Sequence, residues 1–211
     1  MKVIPVADAA KHVAEIATLV AGGGLACIPL RGAYRIIADA RSESAITRLA
    51  QSKRRAHNRP ALILVKDLAA AKEIVDGTAW PLTLKATKKL WPGPLTLVLP
   101  PSKKLPSKIS RLLTKKTGRL GIRVPDDDLS GEILEKVGSP LLVSSANIEN
   151  KPGATSAAAV RQRFDRSVDI WVEAGDIRSE PPSTLVDISE TGWELIREGA
   201  IARAVIERAL A

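Results

Sequence analysis

The sequence predicts an α/β (α+β) fold built on one large twisted sheet. Two observations carry that prediction. Short apolar runs closed by turn residues recur along the 211 residues and alternate with segments of helical periodicity. One of these runs, Pro140-Leu141-Leu142-Val143-Ser144-Ser145-Ala146-Asn147, is too short and too uniformly apolar for an amphipathic helix. It ends in small polar residues, which is how an open α/β sheet presents hydroxyl and amide groups at its ligand-bearing edge. The hydrophobic fraction of 45% and charged fraction of 26% are those of a soluble globular chain, of a length for a single domain over 1–211. Aromatic residues make up 3%, so the core must be mostly Leu, Ile, Val and Ala.

A first helix fits 9–21, with Val13, Ile16, Ala17 and Val20 on one stripe. Gly22-Gly23-Gly24 ends it. This glycine run follows a helix, whereas a phosphate-cradling run follows a strand, so it reads as a cap and turn. Residues 25–29 form a strand, and Ser42 caps a helix running to 51. A strand follows over 61–65, then a capped helix over 67–76 and a helix over 78–90 with Pro81 in its first turn. Strands over 95–99 and 120–124 flank a basic, Ser/Pro-containing stretch, 100–117, read as the mobile segment of the chain. A helix over 129–137 leads to the strand 141–145, and a helix over 156–164 follows. Strands over 168–172, 183–188 and 194–197 precede a closing helix over 201–210.

Composition excludes several classes. No apolar run spans a bilayer and no basic-then-apolar leader opens the chain. One cysteine, Cys27, excludes an internal disulfide and a cysteine-based metal cluster, and its apolar neighbours predict a buried, inert thiol. A cytoplasmic protein is expected. The net charge of +9 favours an anionic partner, and the lysines and arginines at 85–89 and 103–119 are open to two readings, a nucleic-acid surface or a solvated basic face. His12 and His57 are the only histidines and neither lies near Ser145 in sequence, which argues against a Ser-His-Asp hydrolase. No spacing of His, Cys, Asp or Glu suggests a bound metal, and Asp126-Asp127-Asp128 lies at a helix start, where it caps and complements the helix dipole.

Five further segments form an ordered set with the 140–147 run. They are the cationic Lys53-Arg54-Arg55-Ala56-His57-Asn58-Arg59-Pro60, Trp91-Pro92-Gly93-Pro94-Leu95-Thr96, Gly121-Ile122-Arg123-Val124-Pro125, Pro182-Ser183-Thr184-Leu185-Val186-Asp187 and Leu195-Ile196-Arg197-Glu198-Gly199. The set resembles the YrdC/Sua5/YciO family, in order, from about Gly23 to Ile201. The resemblance implies a mixed sheet flanked by helices around a concave, positively charged cleft. It also implies a reaction: L-threonine and bicarbonate form a carbamate that attacks the α-phosphorus of ATP, giving threonylcarbamoyl-AMP for the t6A modification of tRNA. ATP would enter as a substrate with Mg²⁺. Partners would be ATP, L-threonine, bicarbonate, proteins of the later t6A-transfer steps and, directly, tRNA or other structured RNA.

Carried over by motif, Lys53 and Arg55 take the catalytic places on the phosphates. Arg59 stands where the family has Lys, keeping charge but not geometry. Arg123, Ser144, Ser145, Asn147, Arg197 and Tyr34 complete the substrate- and nucleotide-binding set. Arg forks and neutral hydroxyl and amide groups suit phosphate and carboxylate oxygens, and catalysis by positioning and charge neutralisation needs no nucleophilic side chain.

The first family motif, Pro-Thr-Glu-Thr-x-Tyr-Gly, reads Pro29-Leu30-Arg31-Gly32-Ala33-Tyr34-Arg35, keeping Pro29 and Tyr34. Leu30 takes the place of the threonine that touches the amino acid, and Val143 replaces the first serine of Ser-x-Ser-Ala-Asn. Both changes fall on the amino-acid side. Three readings follow: a threonylcarbamoyl-AMP synthase with a divergent threonine pocket, a YciO-like paralogue binding nucleotide with another substrate, and a non-catalytic binder of tRNA or double-stranded RNA.

Overall fold

The computed structural model of the chain describes residues 1–53, 60–114, 117–147 and 154–211. In chain order, β1 (Lys2–Pro5) passes through a 3₁₀ helix (Val6–His12) into α1 (Val13–Ala21), followed by β2 (Ala26–Pro29), β3 (Tyr34–Asp39) and α2 (Glu43–Lys53). Then come β4 (Ala61–Leu64), α3 (Leu68–Ala71), α4 (Pro81–Leu90), β5 (Leu95–Leu99), α5 (Ser107–Thr114) and β6 (Leu120–Arg123). The chain continues through α6 (Asp128–Val137), β7 (Leu141–Ser145), α7 (Ala157–Phe164), β8 (Ile170–Glu173), β9 (Thr184–Ile188), β10 (Trp193–Arg197) and α8 (Arg203–Leu210). This is the mixed α/β class that the alternation of apolar runs and helical segments predicts. The chain divides into two compact units, Met1–Ala56 with Asp127–Glu180 and His57–Asp126 with Pro181–Ala211.

In the first unit the strand order is β1-β8-β2-β3-β7. β8 runs parallel to β1 and β2, while β3 is antiparallel to β2 and β7. The stripe Val13, Ile16, Ala17 and Val20 of α1 is buried, as its spacing requires. Ser42 Oγ accepts from the Ala45 N–H at the start of α2 at 3.3 Å. Asp127 caps α6, accepting from the Ser130 N–H at 2.9 Å, so the Asp126–Asp128 run serves a helix start. Asp169 ties β8 to its neighbours, accepting from the Leu25 N–H at 2.8 Å and from Arg48 Nη2 at 2.7 Å. Its carboxyl is held below the ordinary range: burial pushes it up, and the Arg48 and Leu25 hydrogen bonds outweigh that. Cys27 is buried in β2, and desolvation pushes its thiol up to about 12.

In the second unit the order is β4-β6-β5-β9-β10, with parallel pairs β4·β6 and β5·β9 and antiparallel pairs β5·β6 and β9·β10. All five residues of β5 are buried, as expected of a central strand. α4 starts at Pro81, whose missing N–H is harmless at the first helical position. Lys85 Nζ donates to the Ala211 carbonyl at 2.7 Å, and Lys89 Nζ to the Ala209 carbonyl at 3.2 Å. These two lysines of the first basic cluster therefore cap the end of α8.

Three expectations are corrected. The 100–117 stretch, where no helix was expected, holds α5, with Ile109 and Leu113 one turn apart and both buried. The helix expected over 67–76 stops at Ala71, although Asp67 caps it as anticipated, accepting from the Ala70 N–H at 2.7 Å. The first helix is 3₁₀ up to His12, and β1 and β3 stand where no strand was expected.

Candidate active site

The site is built first at the end of β7 in the first unit. Leu141, Leu142 and Val143 are buried, and Ser144 and Ser145 emerge half-buried, so the apolar half of the run anchors the polar half. The last residue of α2, Lys53, is 6% exposed. Burying an ammonium is costly unless oxygens replace its water. Lys53 Nζ donates to Ser144 Oγ at 3.0 Å and to the Ser145 carbonyl. Sequence-distant motifs thus meet, Lys53 on the Ser-Ser end of β7. Asn147 follows, half-buried, and the Ala146 N–H donates to the Tyr34 carbonyl at 3.0 Å, which fixes the start of that turn.

Strand register sorts the remaining residues by face. Arg35 lies opposite Ser145, Ile36 opposite Ser144 and Ile37 opposite Val143. Paired residues project to the same face of a sheet and successive residues to opposite faces. Ser144 and Ser145 therefore point to opposite sides, Ser144 toward Lys53 and Ser145 with Arg35 and Val143. In the neighbouring pair, Ile28 lies opposite Arg35 and Pro29 opposite Tyr34. Two residues on from Ile28, Leu30 lies on the Arg35 side as well.

β2 and β3 are joined by a tight turn, with the Leu30 N–H donating to the Ala33 carbonyl at 2.9 Å. The two central residues, Arg31 and Gly32, both have positive φ, 45° and 62°, as a two-residue type I′ hairpin requires. A Cβ on Gly32 would collide with the Glu180 backbone nitrogen, so Gly32 is fixed by both conformation and space. Tyr34 is fully buried. Its hydroxyl donates to the Gly175 carbonyl at 2.8 Å and accepts from the Ala174 N–H at 2.8 Å, and its ring meets Trp171 edge-on at 5.7 Å. Tyr34 was expected to bind ligand; in the structure both functions of its hydroxyl belong to the main chain.

The second unit holds the other two described cations of the predicted set. Arg123 ends β6, is 3% exposed, and its carbonyl accepts from the Val65 N–H at 3.0 Å. Arg197 ends β10, and its Nη2 donates to the Ser183 carbonyl at 2.7 Å. The adjoining motifs interlock. Thr96 Oγ1 donates to Ser183 Oγ at 2.9 Å, while Thr184 Oγ1 donates to the Ile201 carbonyl at 2.7 Å and accepts from the Gly199 N–H at 3.0 Å. A Cβ at Gly199 would strike the Pro182 carbonyl, which explains the glycine after Arg197. Arg119, assigned by composition to a basic surface, is instead a clamp: its Nη2 donates to Asp187 at 2.5 Å and to the Val98 and Ile188 carbonyls at 3.1 and 2.7 Å. Burial pushes the Asp187 carboxyl up, and Arg119 opposes that shift.

Arg55 and Arg59 lie outside the described residues. Among the described residues no group of three His, Cys, Asp or Glu could hold a metal, and no helix is long and apolar enough to cross a membrane. Arg35, opposite Ser145 in the register, is not among the sequence-predicted site residues.

A family model described as telomere recombination, that of the Sua5/YciO/YrdC proteins, matches residues 18–199. A threonylcarbamoyl-AMP synthase of Pyrococcus abyssi is 30% identical over 192 residues, covering 89% of this chain and 54% of that protein. The structure of P. abyssi Sua5 complexed with L-threonine is similar over 94% of this chain and 57% of its own, with 28% identity and a TM-score of 0.83. Escherichia coli YciO shares the fold, with a TM-score of 0.77 over 90% of each chain at 21% identity. The chain thus spans little more than half the length of the P. abyssi protein.

Proposed function

Because this chain belongs to the Sua5/YciO/YrdC family, we propose that it makes threonylcarbamoyl-AMP from L-threonine, bicarbonate and ATP. The threonine amine adds to bicarbonate with loss of water, giving a carbamate. A carbamate oxygen then attacks the α-phosphorus of ATP, forming the P–O bond of the mixed anhydride as the α–β bridging bond breaks and pyrophosphate leaves. The product would supply t6A modification of tRNA, and ATP would arrive with its Mg²⁺.

The observation that carries this reading is the buried Lys53 ammonium on the Ser144 hydroxyl and Ser145 carbonyl. A fixed cation in a water-poor place stabilises developing phosphate charge without reorganising, and such preorganisation is worth more than the same charge in water. Ser145 and Asn147 add neutral donors and acceptors, and the motif match gives Arg123 and Arg197 phosphate or carboxylate contacts in this reading. Arg55 and Arg59, on the same cationic motif as Lys53, take phosphate contacts in this reading. No side chain need form a covalent intermediate, since the carbamate is the nucleophile.

A second reading, a paralogue that keeps nucleotide activation but takes another acid, is favoured by Leu30 and Val143 on the face of Ser145. Pyrophosphate release from ATP and bicarbonate, with and without L-threonine, separates the two. The first predicts threonine-dependent release that Lys53→Ala abolishes; ATP binding without threonine-stimulated release would support the second.

A further inference from the structure

The positive charge of the chain is concentrated in one segment. Residues 77–125, all in the second unit, carry eleven Lys and Arg and no Asp or Glu. Eleven exceeds the net charge of +9, so the rest of the chain is slightly acidic. Several of these cations serve the fold: Lys85 and Lys89 cap α8, Arg119 clamps β5 and β9, and Arg123 is buried. Lys103, Lys104, Lys108 and Arg111 differ. They fall within nine residues, in the turn before α5 and on α5 itself, and all four are exposed. Lys104 Nζ comes within 3.8 Å of Glu73, a loose pair between exposed groups that a phosphate can displace. The segment also lies away from the motif residues. α5 connects the end of β5 to the start of β6, where Leu99 pairs with Leu120. Arg123 lies at the other end of β6, and Arg197 pairs with Leu185 near the start of β9, which runs parallel to β5.

We propose that this exposed turn and helix is a docking surface for double-helical RNA, held through its phosphates. Four cations on one short segment suit a polyanion. A lipid surface would need an apolar side to insert, and here Ile109 and Leu113 are already buried and Leu112 is half-buried. A protein partner would need the aromatic anchors that interfaces favour over lysine, and 100–119 contains no aromatic residue. The same lack argues against single-stranded RNA, whose splayed bases stack on aromatic rings. What this surface offers is charge, which reads the phosphates of a duplex and not its bases. Duplex DNA carries the same phosphates; the choice of RNA rests on the synthase reading, whose product serves tRNA. Because the segment sits at the strand ends opposite Arg123 and Arg197, it holds RNA without entering the reaction.

The test measures binding of the unsubstituted chain to a fluorescent RNA duplex by anisotropy, against its single strand and the matching DNA duplex, and to phosphatidylserine vesicles by co-sedimentation. One variant combines Lys103→Gln, Lys104→Gln, Lys108→Gln and Arg111→Gln. A control combines Lys11→Gln, Lys136→Gln, Arg161→Gln and Arg166→Gln, four exposed cations of the first unit. The unsubstituted chain should bind the RNA duplex at least as tightly as the DNA, with affinity falling about a hundredfold between about 50 and 200 mM salt. The variant should lose about tenfold or more in affinity and flatten the salt slope by about three to four, while the control changes little. Equal loss in the control overturns the surface, since net charge would then be the cause. So do an unchanged slope in the variant, tighter binding of the single strand, the DNA or the vesicles, and no RNA binding at all. Thermal melting checks each protein, and a variant that melts early is replaced by the four single substitutions, each lowering the slope by about one. Threonine-dependent pyrophosphate release should be equal in the unsubstituted chain and the variant. Its absence from both overturns the synthase reading alone, and its loss in the variant only overturns the separation of docking from reaction.

Discussion

The two faces of the β2–β3 hairpin have met different demands. On one face Pro29 and Tyr34 hold the fold, Tyr34 by two main-chain hydrogen bonds and an edge-on contact with Trp171. These are the two residues of the first motif that agree with the family pattern. On the other face lie Leu30 and Arg35, which depart from it, and they share that face with Val143, which also departs, and Ser145, which does not. The Pro29–Tyr34 face is also the face of Ser144, which lies opposite Ile36 and accepts from Lys53. With Tyr34 held by the main chain and the turn closed at Arg31 and Gly32, a motif can lose most of its letters and keep its shape.

Four changes break or sharpen that comparison. Lys53→Ala should have the largest effect, a loss of about a hundredfold or more in pyrophosphate release, because it removes a preorganised charge; steady-state kinetics measures it, and a loss below tenfold would remove Lys53 from the phosphate-stabilising role. Leu30→Thr places a hydroxyl on the face of Ser145, and in the synthase reading the ratio of kcat/KM for threonine over valine should rise by about tenfold or more. Gly32→Ala forces a side chain into positive φ against Glu180 and should cost about 1–3 kcal/mol in denaturant unfolding, with little effect on chemistry in the surviving folded protein. The smallest effect concerns pH. The native Asp169 carboxyl lies below its ordinary value of 3.8, so its stabilisation is complete above that value and is lost as pH falls through the lower native one. Asp169→Asn should therefore cost about 1–2 kcal/mol near neutral pH, and the difference should shrink in acid, as urea titrations at several pH values would show.

Legibility followed burial. The strands at Leu95–Leu99 and Leu141–Ser145 were read to the residue because each is a short, mostly apolar run bounded by turn residues. β3 was hidden because Arg35 follows a turn rich in charge and glycine, although Ile36, Ile37 and Ala38 behind it are all fully buried. α5 was hidden by its lysines and flanking proline, while Ile109 and Leu113 kept helical spacing inside the basic stretch. In the site, Lys53 and the end of β7 could be matched by motif, but their contact is a long-range event between residues 91 apart in sequence. Tyr34 could be matched by motif but not placed. Its buried hydroxyl could be assigned to the main chain only once Ala174 and Gly175 were in place. The lysines at 85 and 89 and Arg119 show the same limit: composition gives charge, and only structure shows which charges cap helices or clamp strands.

The central claim, that Tyr34 keeps the shape of the first motif while Lys53 at the Ser-Ser end of β7 serves the phosphates, is tested most directly on those two residues. Melting temperature and threonine-dependent pyrophosphate release would be measured for Tyr34→Phe and Lys53→Ala. The account predicts a crossed result: Tyr34→Phe loses about 1–3 kcal/mol of stability with release unchanged in the folded protein, and Lys53→Ala loses about a hundredfold or more in release while staying folded. Release lost in Tyr34→Phe, or kept in Lys53→Ala, would contradict it.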